Sequence, residues 1–446
     1  MKQTQTKEEY LADGAILRWA THTDAAGYAS LAAHAFLIGA EQHSNPNVTH
    51  YAHDLTSDRH PLCHSSDVAV VCLDDSIVAA AAVLQQPFVY GGINIPVGRP
   101  ELVCSHQNVR QRGYVRSIMR KLHDASEARG DVMQVITGIP YYYHQFGYTW
   151  AIDYNGFCRV EASDFPPITN MMPRVTIRPF ERSEYGLFNT LYTNDIAARA
   201  LVISTPYPEE LFHHSLGVSV STEGFRAYGI YTEDETCIGF CLLTVRIWDG
   251  TLSVMALSYE EPASHYTHSV PVLHAIHAIA QTLPKPVGIQ EDYHAVDMLL
   301  DGNHPIARVF AALNVTHTII KPYTWYVRIP DMPKWILHVR HVLEERIAAS
   351  PLRGYTGSVQ ITFYRNGIAM EWQDGKLIHV TPRTPAPYGD LPHAGYPYNA
   401  FCQQVCGWRS LAELRAWYPD IWATATTAVF LDILFPKSTS QLLWMN

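Results

Sequence analysis

One segment restricts the fold more than any other. Over residues 102–136 an apolar strand (102–105) runs into Arg110-Gln111-Arg112-Gly113, and that loop opens directly into a helix (113–129). The helix is marked by Val115, Ile118, Leu122 and Ala125, which step by three and four. Gly130 stands where a C′ glycine belongs, and a β-rich run, 132–136, follows it. The free N–H groups and the dipole at such a helix start attract anions. Gly113 lets the backbone approach a phosphate closely. Arg112, Arg116 and Arg120 recur every four residues and share a helix face. These features suit a pyrophosphate. The segment is neither a GxxxxGK[ST] loop nor a GxGxxG fingerprint.

The surrounding chain alternates strand and helix patterns, which predicts an α/β (α+β) class. Strands are expected at 15–18, 68–73, 77–84, 93–97 and 147–154, with Asp74-Asp75-Ser76 as a hairpin turn and a helix over 23–38. A Pro-rich link at 165–173 ends this block. Strands at 226–231 and 238–246 and a helix at 270–283 mark a second block. The third has helices at 335–349, 410–417 and 424–435, with strands at 358–363 and 369–372. The expected domains are 1–165, 174–330 and 331–446.

Composition narrows the function classes. Hydrophobic residues make up 47% of the 446, too many for a disordered chain. The formal charge of −10 argues against a broad grip on nucleic acid. No apolar run is long enough for a membrane span, and residues 1–13 lack the apolar core of a signal peptide. The eight cysteines include no CxxC pair and read as reduced core residues of a cytoplasmic protein. The 23 histidines show no HExxH, so no metal site is expected.

The run Arg110-Gln111-Arg112-Gly113-Tyr114-Val115 resembles the acetyl-CoA-binding motif of the GNAT N-acetyltransferases, (Arg/Gln)-x-x-Gly-x-(Gly/Ala), with Val115 in place of the final small residue. The resemblance implies that the backbone amides of Arg110, Gln111, Arg112, Gly113, Tyr114 and Val115 hold the pyrophosphate of acetyl-CoA. It implies that the strand carrying Val103, Cys104 and Ser105 pairs with the pantetheine arm, which enters where 102–105 splays from 132–136. Tyr143, at the start of Tyr-His-Gln-Phe-Gly-Tyr, would protonate the departing thiolate.

The whole chain resembles the three-domain acetyltransferases related to the enhanced-intracellular-survival proteins. Besides the first-block motifs, the likeness rests on Trp325-Tyr326-Val327-Arg328-Ile329-Pro330-Asp331, Leu343-Glu344-Glu345-Arg346 and Leu434-Phe435-Pro436-Lys437. It implies two tandem GNAT-like mixed-sheet domains, the second degenerate, followed by a domain like sterol carrier protein 2. The second block has Glu260-Glu261-Pro262-Ala263-Ser264 where the phosphate loop would fall, so one CoA site per chain is expected.

The expected reaction is direct transfer of an acetyl group to a primary amine, on a small molecule or a lysine side chain, with no metal. In the related enzymes the chain's terminal carboxylate serves as base or amine anchor, a role that would fall to Asn446. His106 and His144 are other candidate bases. Cys104 has no His partner at a spacing that would support an acyl-cysteine route. Homo-oligomers occur among the related enzymes, and no heptad pattern specifies one here. The rival reading is a non-enzymatic CoA- or lipid-binding protein that uses its third domain.

Overall fold

Val68–Leu73 and Ser76–Gln85 pair as the hairpin the sequence predicts. Its turn uses Asp74 and Asp75 at φ 48° and 60°, the left-handed geometry that matches strand twist. This computed structural model describes residues 8–38, 43–154, 156, 158–199, 201–217, 224–283, 292–301, 303–384 and 391–443. Its architecture is mixed α/β, as expected.

The first sheet has eight strands in the order Glu9–Tyr10, Ile16–Trp19, Val68–Leu73, Ser76–Gln85, Val97–Ser105, Met133–Ile136, Tyr323–Arg328 and Thr149–Tyr154. Val97–Ser105 and Met133–Ile136 run parallel, because helix Tyr114–Arg129 carries the chain back across the sheet. Ile118, Met119 and Leu122 bury that helix against Val71, Ala79, Ala81 and Val83. Gly98 lies at the parallel pairing, where a Cβ would overlap the Ser126 hydroxyl.

The second sheet repeats the plan with seven strands, ordered Val175–Pro179, Phe225–Thr232, Cys237–Thr244, Thr251–Tyr259, Ala295–Met298, Cys158–Glu161 and Thr318–Ile319. Helix Ser264–Ala280 links its parallel pair, Thr251–Tyr259 and Ala295–Met298. The two sheets exchange strands. Tyr323–Arg328 pairs with Met133–Ile136 and Thr149–Tyr154 in the first. Cys158–Glu161 pairs with Ala295–Met298 and Thr318–Ile319 in the second.

The last part of the chain forms a five-stranded sheet, ordered Lys376–Arg383, Gly367–Gln373, Gly357–Thr362, Ala394–Gly395 and Trp422–Ala423. The helix expected over 335–349 is two helices, Met332–His338 and Arg340–Ala348, broken at Val339 (φ −94°, ψ 12°). One apolar core joins this part to the first sheet through Tyr90, Trp325, Trp335, Met370 and Phe430. The tail returns between the two sheets. Val202 N–H donates to Thr439 O at 2.9 Å, and Gln441 N–H to Ile203 O at 2.9 Å. Buried Gln86 donates its Nε2 proton to Leu443 O at 2.8 Å, and Leu443 N–H donates to Thr205 Oγ1 at 3.1 Å. Asn446 lies outside the described residues. Among those described, no helix is long and apolar enough to cross a membrane.

Candidate active site

The strand Val97–Ser105 is shaped by one irregularity. Its register with Ser76–Gln85 shifts between Ala80 and Ala82, and Leu102 sits at φ 51°. Left-handed backbone costs a residue with a Cβ about 1–2 kcal/mol. Here the Tyr28 hydroxyl donates to the Leu102 carbonyl at 2.8 Å and holds the bulge. The parallel neighbour leaves early. Met133 and Gln134 pair with Val97 and Gly98, after which Gln134, Val135 and Ile136 pair with Arg328, Val327 and Tyr326. The strands therefore splay, and the edge at Val103, Cys104 and Ser105 faces a cleft of about 640 Å³.

The phosphate-loop residues stand at the same cleft. Arg110, Gln111, Gly113, Tyr114 and Val115 line it; Arg112 does not. Gln111 (φ 69°) and Gly113 (φ 83°) turn left-handed on either side of Arg112, which gathers backbone N–H groups at the helix start. A Cβ at Gly113 would meet nothing within 4 Å, so the approach to these amides is open. Backbone donors, a helix N-terminus and open space fit a pyrophosphate.

The expected arginine face is divided. Arg116 lines the cleft and donates to Gln145 Oε1 at 3.2 Å. Arg112 turns to Asp13 at 3.5 Å, and Arg120 bonds Glu9. Tyr114 donates its hydroxyl proton to Asp13 at 2.5 Å, which holds that carboxyl below its usual range. The N-terminal segment thus takes up two of the three cations.

Tyr143 reaches the cleft from the short turn Tyr142–Phe146 and is 5% exposed. Its ring packs on Tyr326 at 5.5 Å and Tyr148 at 6.2 Å. Burial pushes the phenol well above its ordinary value, and the nearby Glu101 carboxylate adds to the rise. The hydroxyl therefore stays protonated at working pH, as a proton donor must.

The other candidates separate. Burial pushes the Cys104 thiol up to about 12, so no thiolate is available for an acyl-cysteine. His106 and His144 do not line the cleft. His106 Nδ1 accepts from Asn108 N–H at 3.3 Å, and His144 packs among Tyr141, Trp150 and Tyr326. Sequence reading missed Glu101, half-buried beside the bulge and ion-paired at 3.3 Å with fully buried Arg99. A charged pair inside a strand otherwise apolar is the signal that could have found it.

In the second sheet, the strand matching Val97–Ser105 ends at Tyr259. Buried Tyr259 and His265 pack ring to ring at 4.8 Å where that strand meets its helix, and Glu260 and Glu261 stand at the turn. Carboxylates there repel phosphate.

Comparison with known proteins adds to this geometry. Residues 17–151 match the family model of the acetyltransferase (GNAT) domain. No curated protein matches the chain. Solved structures resemble its full length. A GCN5-related N-acetyltransferase from Kribbella flavida aligns at TM-score 0.64 and 18% identity, over 98% of this chain and 99% of the other. Another GCN5-related N-acetyltransferase, from Anabaena variabilis, aligns at 0.65 and 14%, over 96% and 99%. Eis1 from Mycobacterium abscessus aligns at 0.59 and 13%, over 97% and 99%. At these identities the likeness is one of fold.

Proposed function

We propose that this chain, whose residues 17–151 match the acetyltransferase (GNAT) domain model, is an acyltransferase that moves the acetyl group of acetyl-CoA directly to a primary amine. The observation that carries the reading is that one cleft gathers Val103, Cys104 and Ser105, the loop residues Arg110, Gln111, Gly113, Tyr114 and Val115, and Tyr143. The acceptor class is a small-molecule amine or a lysine side chain.

In this reading the loop amides, including that of Arg112, bind the pyrophosphate, and the splayed strand edge pairs with the pantetheine arm. A backbone N–H at the bulge polarises the thioester carbonyl, as an oxyanion hole does. The amine nitrogen attacks the thioester carbon, the C–S bond breaks, and the sulfur takes its proton from the Tyr143 hydroxyl. The amine's proton passes to a base. We assign the base or amine anchor to the carboxylate of Asn446. The support is the tail's course, since Leu443 is fully buried against the core that holds Leu102 and Cys104.

The same reading takes 1–165 as the catalytic domain, 174–330 as its degenerate copy and 331–446 as a scaffold like sterol carrier protein 2, with the two copies sharing strands. Free cysteines, most of them buried, support a cytoplasmic location.

A thiol-release assay with acetyl-CoA and a panel of aminoglycosides, polyamines and lysine peptides tests the reading. Release that requires both the amine and Tyr143 is the expected result. Absence of release with every amine, together with a CoA-linked rise in melting temperature, would favour a CoA-binding protein instead.

A further inference from the structure

We propose that Asp54, His60 and His214 form a site for a divalent ion of the zinc class, held between the two halves of the molecule. Asp54 lies on helix Pro46–Thr56, His60 on the loop after it, and His214 on helix Glu209–Gly217. These positions are too far apart in sequence to form a motif. The fold brings one ligand atom of each within 4.8 Å of the other two. His214 Nε2 is 3.1 Å from Asp54 Oδ2. Zinc–nitrogen and zinc–oxygen bonds of about 2.0–2.1 Å put tetrahedral ligands roughly 3.4 Å apart, so the His214–Asp54 pair is already close and a separation as wide as 4.8 Å would have to close.

Two orphaned groups point to an occupant. His60 is 1% exposed, and its buried Nε2 has no hydrogen-bond partner among the described residues. His214 Nε2 is also buried, and its approach to Asp54 lacks hydrogen-bond geometry. Buried polar atoms are rarely left so. One cation bound by the Asp54 carboxylate, the His214 nitrogen and, once its ring proton moves to Nδ1, the His60 Nε2 lone pair would give both nitrogens a partner.

Two imidazoles and a carboxylate suit zinc and its neighbours; calcium and magnesium prefer all-oxygen sites. Cys63 is not a ligand, since its Sγ is directed to the Leu55 and His64 carbonyls. One contact has to yield. Leu62 N–H donates to His60 Nδ1 at 3.1 Å, and with Nε2 on a metal the ring proton belongs on Nδ1. The 60–62 turn therefore shifts on loading. His60 packs against Tyr51, whose hydroxyl is 3.4 Å from Arg99 Nη2, and Arg99 pairs with Glu101.

The test uses the full chain, stripped with a chelator and titrated with Zn²⁺ by calorimetry and with Co²⁺ by visible absorption. We expect one equivalent per chain, a raised melting temperature, and cobalt bands without thiolate charge transfer. Asp54→Asn and His214→Gln should each weaken binding at least about tenfold. Both should keep the CoA-linked melting shift of the metal-free protein, which shows that they fold. Binding below one equivalent, or affinity unchanged in either folded variant, overturns the site. Should His214→Gln not fold, Asp54→Asn alone decides.

Discussion

The ring of Tyr326 meets that of Tyr143 edge-on, with centroids 5.5 Å apart and planes at 67°. Tyr326 belongs to the strand Tyr323–Arg328, which enters the first sheet from beyond the second. The wall behind the proposed proton donor is thus built late in the chain. Tyr326→Ala should cost about 3–5 kcal/mol as a large-to-small change at a fully buried ring. It should also lower turnover by loosening Tyr143. Denaturant melts and thiol release on the same sample check both.

Tyr143→Phe removes only the hydroxyl. Turnover should fall about 10²–10⁴-fold, the usual worth of a general acid. Acetyl-CoA affinity, measured by calorimetry, should stay within a factor of about two.

Gly113 stands at φ 83° with open space around its Cα. Gly113→Ala meets no clash, yet it strains the backbone by about 1–2 kcal/mol and moves the amides that face the cleft. A higher KM for acetyl-CoA is expected, with kcat nearly kept.

Gln86 and Thr205 hold Leu443 by buried hydrogen bonds of 2.8 and 3.1 Å. Gln86→Leu should free the tail. If the chain's terminal carboxylate serves the amine, kcat falls while CoA binding holds. Unchanged kcat in a folded variant would move the base elsewhere, with Glu101 the next to test.

His123 and His265 are buried, and burial lowers them to about 3 and about 4. In the unfolded chain each titrates near 6.5. The unfolded state therefore binds more protons below that pH, and stability falls as pH drops from 6.5 toward 4. At pH 5 the loss is about 2 kcal/mol for each residue. Melting temperature against pH should show this slope, and His123→Phe should reduce it by one proton's worth.

The turn at Gly113 and the helix that follows it were legible because their signals are local. Gly113 and Gly130 take left-handed φ at the two ends of one helix, and the apolar step between them is regular. The Asp74-Asp75 turn was legible for the same reason. Helix Pro46–Thr56 went unpredicted although Asn45 and Pro46 are a good start signal. The joining of Tyr323–Arg328 to Met133–Ile136 was not legible, since strand pairing over such separation leaves no periodic trace. Glu101 was missed because its meaning depends on buried Arg99 and the bulge at Leu102. The break at Val339 lies inside an apolar pattern that reads as continuous.

The shared strand has a consequence for biosynthesis. During translation the first sheet has its edge strand Thr149–Tyr154 but must wait for Tyr323–Arg328 before it can close. At about 5–20 residues per second, that gap lasts roughly 10–35 s. Throughout it the nascent chain holds an open β edge at Met133–Ile136. Whatever guards that edge on the ribosome, whether a chaperone or the emerging second half, sets how much of the chain reaches the native state.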